Sequence, residues 1–359
     1  MIPFRNYRRF LNLCSFLGFW VSGSVYQTVS GQNLIGEFQE ITEPSNRVFK
    51  FQIEDYDLDN YKAAVENLLG IYERTYELDF KPGDKGKVGL KVYSNSGPGL
   101  STPANLVEAV VQSLVKRGFE RSNIFIIGLK GRMLRESGFL PPLSRRSMYF
   151  NRVFVRSLDS GRYYNERWFY DSPLPAQSAQ YWINLEQENA VGTKDGEENA
   201  RKSFLPMPLM HEVDFWLNLP CYSDHPTLGV NGALMNATLW NASNTSRFLR
   251  SPASAPVAVA EMGAVPELRE TWALNIASLQ RFQYVGGPIF NAMYTVSEPV
   301  VILSDNPVLL DSIMRERIND HRKKNGFAPL PEDLKILAYS EQLGLGQMDT
   351  SFANLVSIN

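Results

Sequence analysis

Three short polar stretches hold most of the side chains in this chain that could do chemistry. The richest is Asn218-Leu219-Pro220-Cys221-Tyr222-Ser223-Asp224-His225-Pro226-Thr227, which places a thiol, a hydroxyl, a carboxylate and an imidazole close together in sequence. His225 is one of three histidines, with His211 and His321. An imidazole beside a carboxylate suits acid–base work or metal ligation. The plainer alternative is that Asp224 caps a helix and His225 bonds locally. The second stretch is Ser304-Asp305-Asn306-Pro307, followed by Asp311. Capping alone explains Asp305, because free N–H groups and the helix dipole stabilise a carboxylate there without any ligand. Asp311 sits among Leu309, Leu310 and Ile313, which read as buried, so it has less structural cause. The third stretch, residues 94–101, carries Gly97 and Gly99 ahead of a helix start, where backbone amides can hold an anion. It matches neither the P-loop nor the dinucleotide pattern.

The elements that must position these stretches read as alternating strands and helices. Residues 47–53 alternate in strand fashion, and 58–72 carry apolar residues at helical spacing (Ala64, Leu68, Ile71). A short buried strand is expected at 87–93. Thr102 then Pro103 marks a helix start, a capping hydroxyl before proline at the first helical position. That helix runs to about Lys116, and a strand follows at 124–127. Strand, helix, strand in so short a span is a βαβ unit and implies a parallel sheet. Further strands are expected at 152–155, 181–185, 214–219 and 299–303, with helices at 228–240 and 307–321. Prolines divide 129–210, with a polar insertion at 193–202. The fold class is therefore α/β, a mixed or mostly parallel sheet with flanking helices. In such sheets ligands sit beyond the carboxyl ends of the strands, which makes the three polar stretches the first place to look.

Bulk properties narrow the function classes. The 359 residues carry 36 basic and 38 acidic side chains, a net charge of −2, which gives no electrostatic reason to expect nucleic acid as a partner. Like-charge blocks are short (Arg145-Arg146 and Arg322-Lys323-Lys324) and read as solvated surface or helix ends. The two cysteines, Cys14 and Cys221, form no C-x-x-C pair, so no iron–sulfur cluster is expected; other cofactors and any metal stay open. Absence of G-x-S-x-G and H-E-x-x-H removes the common esterase and zinc-protease readings. Residues 1–31 read as an export leader: Arg5, Arg8 and Arg9, then an apolar stretch from Phe10 to Val25, then small residues. An uncleaved anchor and a buried helix are the alternatives. Arg8-Arg9-Phe10-Leu11 also resembles a twin-arginine signal without its spacer residue. The expected location is extracytoplasmic, in a periplasm, with membrane contact only through an uncleaved leader.

At the same polar stretches the chain resembles the family called domain of unknown function 362. The resemblance rests on Leu90-Lys91-Val92-Tyr93, on Asn218 through His225, on Gly232-Ala233-Leu234-Met235-Asn236, on Leu274-Asn275-Ile276, on Asp305 through Asp311, and on Gly344-Leu345-Gly346. It spans roughly residues 48–350, which implies one α/β domain over 32–359 with a proline-rich insertion around 140–210. Cys221, Ser223 and Met235 stand where that family usually has lysine, and Tyr93 where it has asparagine. The ferredoxin-like cysteine cluster of many members is missing. The resemblance implies a site built from His225, Asp311 and Lys91 as candidate catalytic groups. Asn218, Ser223, Asp224, Asn236 and Asp305 are then the candidate ligand-binding groups.

Two functions follow. One is an enzyme or ligand-binding protein for a small molecule, with its polar site at these loops. The other is a non-catalytic binding or scaffold protein, which the lost lysines favour, along with the aromatic middle region Tyr163, Tyr164, Trp168, Phe169 and Tyr170.

Overall fold

Apolar runs of about five residues become strands buried on both faces, as a helix-covered parallel sheet requires. A computed structural model describes residues 44–172 and 201–358. The leader at 1–31, the strand expected at 181–185 and all but the last two residues of the insertion at 193–202 lie outside them. In chain order the strands begin with β1 (Arg47–Gln52), β2 (Val88–Val92), β3 (Ile124–Gly128), β4 (Tyr149–Phe150) and β5 (Val153–Ser157). β6 (Tyr164–Asp171), β7 (Lys202–Pro206), β8 (Phe215–Leu219), β9 (Tyr222–His225) and β10 (Gly229–Asn231) follow. The last five are β11 (Trp272–Ser278), β12 (Phe282–Gln283), β13 (Thr295–Val296), β14 (Val300–Ser304) and β15 (Asn354–Ile358).

Nine strands form one sheet in the order β15-β1-β14-β11-β8-β2-β3-β5-β4. β11, β8, β2, β3 and β5 pair in parallel, as do β1 and β15. Only β14 and β4 run against the rest. The molecule is thus α/β with a mixed, mostly parallel sheet. β4 and β5, inside the proline-rich stretch read as an insertion, form one flank of that sheet. A second sheet, β10-β9-β12-β13, and a ribbon, β6-β7, complete the strands.

Helices α1 (Leu58–Tyr76) and α2 (Ala104–Lys116) cover one face. Asp57 caps α1 by accepting the Asn60 N–H at 2.7 Å. The α1 stripe Tyr61, Ala64, Val65, Leu68 and Leu69 packs with Leu90, Val110, Leu217 and Ile276 in one core. Each Val, Leu or Ile among them contributes about 1.5–3 kcal/mol by burial. α3 (Gly131–Glu136) follows β3, and α4 (Met207–His211) follows β7. Over the opposite face lie α5 (Ala233–Ala237), α6 (Ser254–Gly263), α7 (Pro266–Arg269), α8 (Pro307–Lys324) and α9 (Lys335–Gln342). There Trp216, Leu234, Leu309 and Met314 belong to a second core. The aromatic residues Tyr163, Tyr164 and Trp168 pack against this core and Tyr170 is inside it, so they are not an exposed cluster.

Four local expectations are corrected. The stretch 228–240 is not one helix: Gly229, with φ +80°, turns β9 back along β10, and only α5 is helical. Thr102 does not cap α2. Its hydroxyl accepts the Tyr93 N–H at 2.8 Å and donates to Leu219 O at 2.6 Å, joining the ends of β2 and β8. The cap of α8 is Asn306, which accepts the Leu309 N–H at 2.8 Å, rather than Asp305. Asp224 caps no helix, because β9 leads into a strand. Among the described residues no helix is long and apolar enough to cross a membrane.

Candidate functional site

Strand register assembles a row of polar side chains across the middle of the sheet. Lys91 of β2 lies opposite Asn218 of β8, Asn218 opposite Asn275 of β11, and Asn275 opposite Ser304 of β14. All four are fully buried. Buried polar groups need partners, and here they serve one another. The Lys91 amine donates to Asn236 Oδ1 at 2.9 Å and to Val92 O at 3.0 Å. Asn236 donates to Asn218 Oδ1 at 2.8 Å, and Asn218 donates to Asn275 Oδ1 at 2.9 Å and to Ala233 O at 2.9 Å. Asn275 donates to Ser304 O at 3.1 Å and accepts the Trp272 indole N–H at 3.1 Å.

Burial pulls Lys91 down to about 7. Two acceptors match the two N–H bonds of a neutral amine and leave an ammonium with one buried donor unmet. A lysine titrating near 7 is the kind that forms Schiff bases, but this one is sealed from solvent. In the arrangement seen, it holds α5 to β2.

Asp311 of α8 grips the other end of α5. Its carboxylate accepts the Ala233 N–H at 2.7 Å and the Leu234 N–H at 3.1 Å, two donors left free at a helix start. Burial raises Asp311 to about 7 against the lowering effect of those two donors. Gly232 is required there, since a Cβ would collide with Asp311 Oδ1 and the Tyr222 ring. Burial, and then the nearby Asp311 carboxylate, keeps the Tyr222 hydroxyl protonated.

The β9–β10 hairpin separates residues that sequence had set side by side. Successive strand residues point to opposite faces, so the Asp224 carboxylate and the His225 imidazole do not face each other. Asp224 accepts the Gly286 N–H at 3.1 Å, the Gly287 N–H at 2.7 Å and the Arg322 guanidinium at 3.2 Å. The Ser223 hydroxyl donates to Asp224 O at 2.9 Å. His225 Nδ1 accepts the Thr227 and Leu228 N–H groups, both at 3.2 Å, which places its proton on Nε2. Burial lowers His225 to about 4. Cys221, buried and raised to about 12 by desolvation, is an unreactive thiol. Asp305 is not with the others. The reversed direction of β14 sends it to the amino edge of the sheet, where its carboxylate accepts the Ser45 hydroxyl at 2.6 Å and the Tyr72 hydroxyl at 3.4 Å.

The structure thus unites Lys91, Asn218, Asn236 and Asp311 around α5, places Ser223, Asp224 and His225 on the neighbouring hairpin, and leaves Asp305 apart. Among the described residues no group of three or more His, Cys, Asp and Glu could hold a metal.

Open space lies elsewhere, at the carboxyl ends of β1, β2 and β11. A cleft of about 740 Å³ there is lined by Tyr56, Pro98, Gly99, Gln280, Arg281, Phe290 and the run Thr295-Val296-Ser297, with Ala292. Arg281 is the lone charged group of this lining among the described residues. One of its nitrogens donates to Pro98 O at 3.2 Å and Gly99 O at 3.4 Å, and it pairs with no carboxylate among the described residues. The Phe290 ring lies directly on Gly99, where a Cβ would collide with it. Tyr56 and Ser297 share a hydroxyl–hydroxyl bond of 2.6 Å. Asp224 serves this cleft indirectly, since the Gly286–Gly287 amides it holds lead into the loop that carries Phe290. Sequence reasoning passed over Arg281. The available signal was a cation directly after the buried strand around Leu274-Asn275-Ile276.

No family model and no curated protein matches the chain. A crystal structure of a structural-genomics target protein from Thermotoga maritima is similar at 12% identity and a TM-score of 0.35. The match covers 81% of this chain, which spans about 60% of that protein's length.

Proposed function

We propose that the chain is an exported ligand-binding protein, a divergent relative of the domain of unknown function 362 family, whose site is the cleft at the carboxyl edge. The ligand is a small amphipathic anion: a carboxylate or phosphate head on Arg281, with an apolar or aromatic body between Tyr56 and Phe290. The observation that carries this reading is a guanidinium in an otherwise uncharged cleft, with its outer donors unused among the described residues. The lining's hydroxyls, on Tyr56, Thr295 and Ser297, have no imidazole, amine or carboxylate of the lining beside them to take up a proton and activate them for attack. The lining therefore favours binding over turnover, and the buried polar row is its framework. The leader at 1–31 supports export, and the ordered motifs from Lys91 to Gly346 support the family.

The test is a thermal-shift series with octanoate, benzoate and phenyl phosphate, followed by calorimetry. At least one should raise the melting temperature saturably. Arg281→Met should then weaken binding roughly 10- to 150-fold, the worth of one charge-assisted hydrogen bond. Equal binding by that variant, or no response to any anion, removes the reading and leaves a non-catalytic scaffold.

A further inference from the structure

The flank of the sheet formed by β4 carries a patch with no role in the cleft. From residue 137 to 158 the chain has no acidic residue, yet Arg145, Arg146 and Arg152 are all exposed there. None of the three makes an ion pair or a side-chain hydrogen bond among the described residues, whereas Arg121 and Arg156 close by are taken up by Glu108 and Glu212. Apolar side chains stand between these cations: Leu143 is 75% exposed, Tyr149 55% and Met148 38%.

The scaffold beneath the patch is well tied. One turn of 3-10 helix, Leu143–Arg145, follows Pro141-Pro142, with the Arg145 N–H on Pro142 O and the Arg146 N–H on Leu143 O. Asn151 and Arg152, both at positive φ, make the two-residue turn from β4 to β5. The Asn151 side chain donates to Glu108 at 3.1 Å, and Arg121 donates to Asn151 O at 2.8 Å. Phe150 packs its ring on Phe139. The backbone is held and the Tyr149 ring leans edge-on against Phe154, while Leu143 and the three arginines point outward.

We propose that this flank docks the protein onto an anionic lipid surface. Unpaired guanidiniums fit phosphate oxygens as a planar fork does, and Leu143, Met148 and Tyr149 are placed to enter the headgroup layer. Like charge without a single acid fits a negative partner. Apolar side chains standing clear of the surface fit a soft layer better than a preformed protein pocket. This contact is separate from any anchoring by the leader.

The test is sedimentation of the full chain with phosphatidylcholine vesicles and with vesicles enriched in phosphatidylglycerol, at low and high salt. The wild type should bind the anionic vesicles more strongly than the neutral ones, and high salt should abolish that difference. Arg145→Ala with Arg146→Ala should lower the partition coefficient about 25-fold, from about five-fold per cation. Leu143→Ser with Met148→Ser should also weaken binding, with the melting temperature unchanged in both variants. The apolar stretch at Phe10 to Val25 is common to all of them, so the differences report the flank. Equal binding to neutral and anionic vesicles overturns the proposal, as does wild-type binding by the arginine variant. Binding to polyglutamate but not to vesicles also overturns it and assigns the flank to an acidic protein.

Discussion

Lys91 ends between two oxygen acceptors, Val92 O and Asn236 Oδ1, and makes no ion pair. Its ordinary value is 10.5 and burial brings it to about 7. The unfolded chain therefore takes up this proton below about 10.5 and the native chain only below about 7. Native stability from this group is complete above about pH 10.5, declines as the pH falls from there toward 7, and is gone below about 7. Denaturant unfolding should show stability rising by roughly 2 kcal/mol between about pH 7 and pH 9 from this group. In Lys91→Met that rise should disappear, although the variant also lacks the two hydrogen bonds. A flat profile in the wild type would mean the amine stays charged. At this scale the sequence was informative about identity and silent about exposure. Lys91, Asn218 and Asn236 were all picked out by type and motif. Nothing in their spacing told that register would close them into a sealed row with Asn275, because that depends on which strands become neighbours.

The element most dependent on these residues is α5, five residues long and far too short to be stable alone. It persists because Asp311 satisfies its first amides while Asn218 and Asn236 hold it to the sheet. Gly232→Ala should cost about 1–3 kcal/mol, since the added methyl must displace either the carboxylate or the Tyr222 ring. Asp311→Asn keeps the shape but turns an N–H toward one of the two amide donors, and should cost about 1–3 kcal/mol. Urea unfolding of both variants checks this; a neutral Gly232→Ala would show that α5 is free to shift. Strands and helices with one clean period, such as α1, β2 and β3, were legible in the sequence. The β9–β10 hairpin was not, because Ser223, Asp224 and His225 are polar yet buried on both faces, which erases the alternation a strand normally displays. Residues 226–228 form its turn and Gly229, at φ +80°, opens β10, so Gly229 was the usable clue.

For the whole molecule, the decisive feature is the reversed strand β14. It lets one sheet carry five parallel strands in its middle and a separate flank of β1 and β15, and it puts Asp305 at the edge away from the cleft. The α/β class followed from the βαβ pattern, but the direction of a single strand has no local signature. Asp305 ties that flank down through Ser45 and Tyr72. Asp305→Ala should speed amide hydrogen exchange in β1 and β15 by an order of magnitude or more, as loss of about 1.5–3 kcal/mol allows. Exchange in β2, β3 and β8 should not change. Uniform acceleration across all strands would show that the flank opens only with the whole sheet.

The same topology sets an order of events as the protein is made. β1 is the first strand of the sheet to leave the ribosome, yet its two neighbours, β14 and β15, come from the far end of the chain. Until β14 and β15 have been made, β1 has both edges unpaired, while β2, β3 and β5 can already join one another. The sheet therefore grows from its middle, and its first-made strand is the last to find a place. A nascent chain of this kind stays incompletely folded, with a bare strand edge, until both of those late strands have been made.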